Sequence, residues 1–280
     1  MEHHQDSYPG PRGAQLFRQW WLPEREPGAL IVLVHGMAEH SGRYNTSVKD
    51  LVAQGYGVYA LDHLGHGRSD GGRCCVKSFA DFTQPLHQLI LKLKQQYKNV
   101  PVFLLGHSMG GLICAIYLLD HQDEVKGAIL SAPAVLSYQR PNFITVIKLM
   151  FYLIFSPNTG MLQLDASGVS RDPEVVTAYL NDPLVYTGQV PACLLLAMTK
   201  AMKRLLQQAG LIQLPLLILQ GDQDRLVNPE GAQLLYQRVG SQDKQLERYP
   251  DSYHEILNEP EYPQIINLIQ GWLSKRLNNT

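Results

Sequence analysis

The pentapeptide Gly106-His107-Ser108-Met109-Gly110 constrains this chain more than any other feature. It follows the apolar run Val102–Leu105 and precedes the apolar run Leu112–Leu119, so it reads as a sharp turn from strand to helix. Such a turn strains the backbone of its central residue, and the flanks must be small; Gly106 and Gly110 supply that room. The turn aims the Ser108 hydroxyl away from the sheet, while the helix start directs free N–H groups at developing negative charge. The plainer reading, a glycine-rich turn with an incidental serine, does not account for the flanking strand and helix.

The rest of the chain supplies the sheet that this turn requires. Ala29–Val34 (ALIVLV) reads as a strand buried on both faces. Gly57–Leu61, Val102–Leu105, Gly127–Leu130 and Leu214–Leu219 read likewise, and Gln245–Tyr249 is a weaker last strand. Helical spacing runs through Thr46–Gln54, Phe79–Tyr97 and Pro260–Leu277. The alternation predicts an α/β fold with a mostly parallel central sheet flanked by helices. After Pro133 the rhythm stops, and Leu136 to about Leu211 shows helical patterns and turns without a convincing strand. The expected organisation is therefore a core in two parts, 1–135 and 212–280, with a helical cap inserted over 136–211. Within the cap, Phe143–Phe155 is apolar except at Thr145 and Lys148. That run is too short to cross a bilayer; it suits a buried cap helix, or else an apolar lip that touches lipid.

Composition narrows the partners. The 280 residues can bury a large core without disulfides or metals. With 24 Lys+Arg against 25 Asp+Glu, the formal net charge of −1 gives no overall attraction to nucleic acid or an anionic membrane. Cys74 and Cys75 are sequence neighbours and cannot pair in ordinary geometry. With Cys114 and Cys193 they match no zinc or redox spacing, so four free thiols in a reducing compartment are expected. Met1–Gly13 is polar, unlike a signal peptide, which together with the thiols points to the cytoplasm. No metal is expected, since His254-Glu255 is not followed by the second histidine of a zinc-binding helix.

A serine hydroxyl needs a base, itself oriented by a carboxylate, and in this kind of fold they follow the serine in the order acid, then histidine. After Ser108 the histidines are His121 and His254. His121 lies about three turns along the same helix and suits the surface. His254 falls between the last strand and last helix, where a base hangs over the strand ends. For the acid, Asp222 and Asp224 both follow the strand Leu214–Leu219. Asp224 is favoured because it lies further past the strand end and three residues after Gly221; Asp222 remains the alternative, with a turn role as its plainer reading. The two expected oxyanion donors are the backbone N–H groups of Met109 and of Met37, after His35-Gly36.

These residues resemble the monoglyceride lipase and lysophospholipase family of α/β-hydrolase-fold serine hydrolases. The likeness runs from about Ala29 to Leu273 through His35-Gly-Met-Ala-Glu-His-Ser-Gly-Arg43-Tyr44, Leu61-Asp-His-Leu-Gly-His-Gly-Arg-Ser69, Gly106-His-Ser-Met-Gly-Gly111, Ser170-Arg-Asp-Pro-Glu-Val-Val176 and Asp182-Pro-Leu-Val185. It implies hydrolysis of monoacylglycerols to fatty acid and glycerol without a cofactor, in an apolar tunnel under a helical cap. The family's acid and base fall at Asp224 and His254. Glu39 and Arg43 match positions near the polar alcohol end of the pocket, with a structural ion pair as the competing reading. Asp62, His63 and His66 look like turn residues. Ala38 replaces a glycine common after the oxyanion residue, and Val227 stands where mammalian members carry a cysteine. The implied partner is a small lipid ester, with peripheral membrane contact through the cap as a further expectation, no nucleic acid, and an oligomeric state left open. The alternatives are a lysophospholipase, for which no basic cluster is evident, or a general carboxylesterase. A proline aminopeptidase would need an acidic anchor that the sequence does not assign. A non-catalytic binding protein on the same fold would not need the full set of Ser, Asp and His.

Overall fold

In the computed structural model, residues 1–138, 156 and 158–278 are described. Ten strands are present among them: β1 (Glu2–Pro9), β2 (Gln15–Leu22), β3 (Ala29–Val34), β4 (Tyr56–Leu61), β5 (Val102–His107), β6 (Gly127–Ser131), β7 (Gly160–Leu162), β8 (Val190–Pro191), β9 (Leu216–Gly221) and β10 (Lys244–Tyr249). Eight of them form one sheet in the order β1-β2-β4-β3-β5-β6-β9-β10. From β4 to β10 every neighbouring pair is parallel; β1 and β2 join antiparallel at one edge.

The continuous apolar runs become central strands because both faces are covered. Side chains alternate across a strand: Leu30, Val32 and Val34 of β3 enter one core layer, and Ala29, Ile31 and Leu33 the other. The first layer holds helices α2 (Ala80–Gln96) and α3 (Met109–His121), and the second holds α1 (Asn45–Ala53) and the C-terminal helix Tyr262–Leu277. Six buried apolar residues of α2, from Phe82 to Leu93, lie at helical spacing and make its inner face.

The chain leaves β3 for β4 on one side and returns to β5 on the other. The loops after β3 and β5 therefore diverge from the same end of the sheet. That crevice is where open α/β sheets bind ligands, and it carries Met37 and Ser108.

Three features depart from the sequence expectations. The N-terminal segment before Ala29 forms two strands that were not anticipated, β1, an edge strand exposed at seven of its eight residues, and β2, paired to it from Glu2–Leu22 to Pro9–Gln15. The stretch read as free of strands contains a small antiparallel pair, β7 with β8. These strands are two and three residues long, too short to show a period. A helix at Glu230–Arg238, between β9 and β10, was not anticipated. The apolar run Phe143–Phe155 lies outside the described residues. Beyond it come helix Pro173–Asn181, which starts at Pro173 with Asp172 accepting the Glu174 N–H at 2.8 Å, and helix Ala192–Gln208, which packs on α3.

Candidate active site

Ser108 stands between β5 and α3 with φ 53° and ψ −116°, a conformation costing on the order of 1–3 kcal/mol for a residue with a side chain. The surroundings impose it. The Ser108 N–H bonds the Ser131 carbonyl at 2.9 Å, and its own carbonyl accepts from Leu112 and Ala134. A Cβ at Gly110 would lie 1.9 Å from the Val34 carbonyl oxygen, and one at Gly106 would lie 2.5 Å from that of Gly110. Both glycines are thus fixed by backbone approach, as the turn motif implies. The Ser108 side chain opens on a cavity of about 150 Å³ that also takes in Met37, His254, Val227 and Glu39.

His254 and Asp224 meet beside it. The Asp224 Oδ2 lies 2.7 Å from His254 Nδ1, while Oδ1 accepts the N–H groups of Leu226 and Val227 at 2.8 and 2.9 Å. Gln220 Nε2 also donates to Oδ2, at 3.2 Å. An ionised carboxylate only accepts, so Nδ1 of His254 carries the proton and Nε2 keeps its lone pair. Both residues are buried. Burial opposes charge on the His254 ring, but Asp224, with Glu255 and Glu39 behind it, outweighs that and raises its pKa above the usual histidine value. Burial likewise opposes the Asp224 carboxylate, and the His254 charge with the two backbone donors overrides it, lowering its pKa. Asp222 is elsewhere: it pairs with Arg248 at 2.6 Å in a partly exposed position. His121 sits at the far end of α3, stacked on His87 at 3.9 Å.

Among the described residues, neither the Met37 nor the Met109 backbone N–H donates to another protein group. Met109 opens α3, where the first N–H groups have no partner within the helix. The neighbouring His107 ring, 4.7 Å from His254, is held neutral by burial and by His254, with its pKa pushed down to about 3. It adds no competing charge.

Glu39 and Arg43 belong to a buried network that braces the loop after β3 against the loop after β10 and helix Pro173–Asn181. Glu39 Oε1 accepts the Gly36 N–H and the Tyr44 hydroxyl, each at 2.6 Å, and Oε2 accepts from Arg43 at 3.1 Å. Arg43 also forks onto both oxygens of Glu255, with Nη2 donating to Oε2 at 2.8 Å, and lies 4.7 Å from the centre of the Tyr179 ring. Glu39 and Glu255 border the cavity; Arg43 stands behind them. Glu255 is a residue that sequence reasoning missed. Its place beside His254 was visible, but its pairing with Arg43, 212 residues away, was not. Asp62 accepts the N–H groups of Ser41 and Arg68, each at 2.9 Å, and the His63 N–H bonds His35 Nε2 at 2.9 Å. Ala38, whose φ of 67° explains a preference for glycine there, accepts the Tyr186 N–H at 2.7 Å.

The remaining walls are mainly apolar, formed by Leu136, Leu162, Leu164, Val169, Leu195 and Met198, with Ser137 and Thr199 as polar exceptions. The site therefore combines a strained serine, a polarised histidine, two free N–H groups and an oily cavity. Among the described residues no group of three or more His, Cys, Asp or Glu could hold a metal ion.

The chain matches proteins of known kind over most of its length. A family model described as serine aminopeptidase, S33, matches residues 25–261. The monoacylglycerol lipase of Mycolicibacterium smegmatis is 38% identical over 97% of this chain and 97% of its own. The monoglyceride lipase of Homo sapiens is 35% identical over 94% of this chain and 88% of its own. The crystal structure of Paleococcus ferrophilus monoacylglycerol lipase superposes with a TM-score of 0.82 at 31% identity, covering 99% of this chain and 100% of that one. The chain belongs to the serine aminopeptidase S33 family, within the α/β-hydrolase-fold enzymes that include the monoacylglycerol lipases.

Proposed function

We propose that this protein is a serine esterase that cleaves monoacylglycerols to fatty acid and glycerol through an acyl-enzyme. The observation that carries the reading is the meeting of Ser108, the His254–Asp224 pair and an apolar cavity in one crevice. In this mechanism His254 Nε2 takes the Ser108 proton as the oxygen attacks the ester carbonyl. The N–H groups of Met37 and Met109 hold the oxyanion, each worth on the order of 3–4 kcal/mol in the transition state. The imidazolium, stabilised by Asp224, then protonates the departing glycerol. Water, deprotonated by the same ring, attacks the acyl-serine and frees the fatty acid.

Residues 136–211 act as the cap over this crevice in our reading, and the acyl chain lies along the Leu and Met walls. The relatives named as monoacylglycerol lipases support the head group. A lysophospholipid would bring a phosphate, yet Arg43, which stands behind Glu39 and Glu255, is already shared between the two carboxylates. A peptidase would need a free carboxylate for the substrate amine, and Glu39 and Glu255 are both engaged by Arg43, with Tyr44 and Asn258 as further partners. We place the enzyme in the cytoplasm, on the support of its four free thiols. Contact with lipid surfaces runs through the cap, where Leu162 and Leu180 are 42% and 53% exposed. Among the described residues no helix is long and apolar enough to cross a membrane.

A panel of monoacylglycerols of graded length, lysophosphatidylcholine, a short nitrophenyl ester and a proline aminoacyl amide tests the assignment. Monoacylglycerols should turn over fastest. Preference for the lysophospholipid or for the amide would overturn the proposed head group.

A further inference from the structure

Cys75 and Cys193 are 118 residues apart in sequence, and their sulfurs lie 2.7 Å apart in the fold. Cys75 is in the loop after β4 and Cys193 in the first turn of helix Ala192–Gln208. The Cys75 thiol also reaches Asn158 Oδ1 at 3.0 Å. Both line a second cavity, of about 670 Å³, distinct from the one beside Ser108. The helix is the wall between the two. Leu195, Met198, Thr199 and Met202 face the Ser108 cavity, whereas Cys193, Leu196, Lys200 and Arg204 face the second one. These are the two opposite stripes that three- and four-residue steps produce.

We propose that Cys75 and Cys193 form a redox modification site, which a small disulfide such as glutathione disulfide converts into an intramolecular disulfide stapling the helix to the loop after β4. The sulfurs already lie well inside ordinary non-bonded contact, and closing to a bond length of about 2.05 Å needs only a small shift. The cavity gives the oxidant access. Lys77 and Lys200 line it and favour an anionic reagent, while Arg204 is paired with Asp120. Cys74 and Cys114 are buried and line neither cavity.

Chemically, Cys75 gives its proton to solvent and its sulfur attacks one sulfur of glutathione disulfide. The S–S bond breaks, glutathione leaves as thiolate, and a mixed disulfide remains on Cys75. Cys193 then loses its proton and attacks the Cys75 sulfur, expelling the second glutathione thiolate. Two protein thiols are oxidised, one disulfide is reduced to two glutathione thiols, and the two protons end on them. Burial, followed by the neighbouring Cys193, pushes the Cys75 thiol up to about 12, so the thiolate is scarce at neutral pH and the step quickens as pH rises.

The staple fixes one wall of the Ser108 cavity. Its effect on catalysis rests on the ester-hydrolase reading; its formation does not. The test incubates the full chain with glutathione disulfide at pH 8, counts free thiols, maps disulfide-linked peptides, and measures turnover of long and short esters. We expect the thiol count to fall from four to two with Cys75 linked to Cys193, and to recover with dithiothreitol. C193A should form no internal bridge and only a mixed disulfide on Cys75. Four persistent thiols, or a mixed disulfide that never resolves in the wild type, would overturn the site. The ratio of long- to short-ester turnover should change on oxidation and return on reduction in the wild type, and stay fixed in C193A. A staple that forms without altering that ratio overturns the wall role alone. Absence of all ester turnover in the reduced enzyme overturns the function and leaves the thiol result standing.

Discussion

Replacing Asp224 with Asn keeps the side chain's shape and removes its charge. In the native site the carboxylate lies 2.7 Å from His254 Nδ1, with charge centres about 4 Å apart. At an effective dielectric constant of about 20 that attraction is on the order of 4 kcal/mol for the imidazolium formed in the transition state. At about 1.36 kcal/mol per decade, its loss predicts a fall in kcat of roughly a thousandfold. An amide nitrogen turned toward the ring would also favour the wrong tautomer, so a further decade is expected. The assay is the initial rate of ester hydrolysis with a thermal melt alongside, to show that the variant folds. Asp222→Asn is the matched control. Asp222 pairs with Arg248 in a partly exposed position away from His254, and its loss should leave kcat within about twofold. If D224N kept a tenth of wild-type activity, or if D222N were the crippled variant, the assignment of the orienting acid would be wrong.

Further expectations follow from the same geometry. The base must be unprotonated, and its pKa is raised by its carboxylate neighbours against the opposition of burial. The acid limb of kcat/KM should therefore fall away below a midpoint above about 6.5, and Glu255→Gln should move that midpoint toward acid. A pH–rate profile measures both. Arg43→Met leaves the buried Glu39 and Glu255 without their shared cation and should cost about 3–5 kcal/mol in a denaturant titration. Ala38→Gly removes a side chain from a residue at φ 67° and should stabilise by about 0.5–1 kcal/mol, seen as a rise of about 2 °C in Tm. Gly110→Ala should destabilise by more than about 3 kcal/mol, since its Cβ would sit 1.9 Å from the Val34 carbonyl oxygen and backbone must move.

The sequence displayed whatever depends on local pattern. β3, β5 and β9 are buried along their whole length, so unbroken apolar runs marked them within two residues. The serine turn was legible because its glycines are demanded by backbone approach within the turn and at the end of β3. β1 was not legible, because an edge strand exposed on both faces has no apolar face to display. Its partner β2 holds the stacking, with His3 on Trp21 and His4 on Trp20 at 4.7 and 5.2 Å. Pairings between distant residues were also hidden. Nothing local links Arg43 to Glu255 or Cys75 to Cys193, and only the folded sheet and the helix over it bring them together. The choice between Asp222 and Asp224 stood on spacing in the sequence, whereas the contact with His254 belongs to Asp224 alone among the two.

The most direct test of the central claim is glycerol release from a long-chain monoacylglycerol by the wild type and by Ser108→Ala, with folding of both verified by circular dichroism. The account predicts steady release by the wild type and a loss of at least about a thousandfold in the variant, with only the background contributed by binding and the oxyanion donors remaining. Equal turnover by the two proteins would contradict it, because the ester would then be cleaved without the serine around which the whole crevice is arranged.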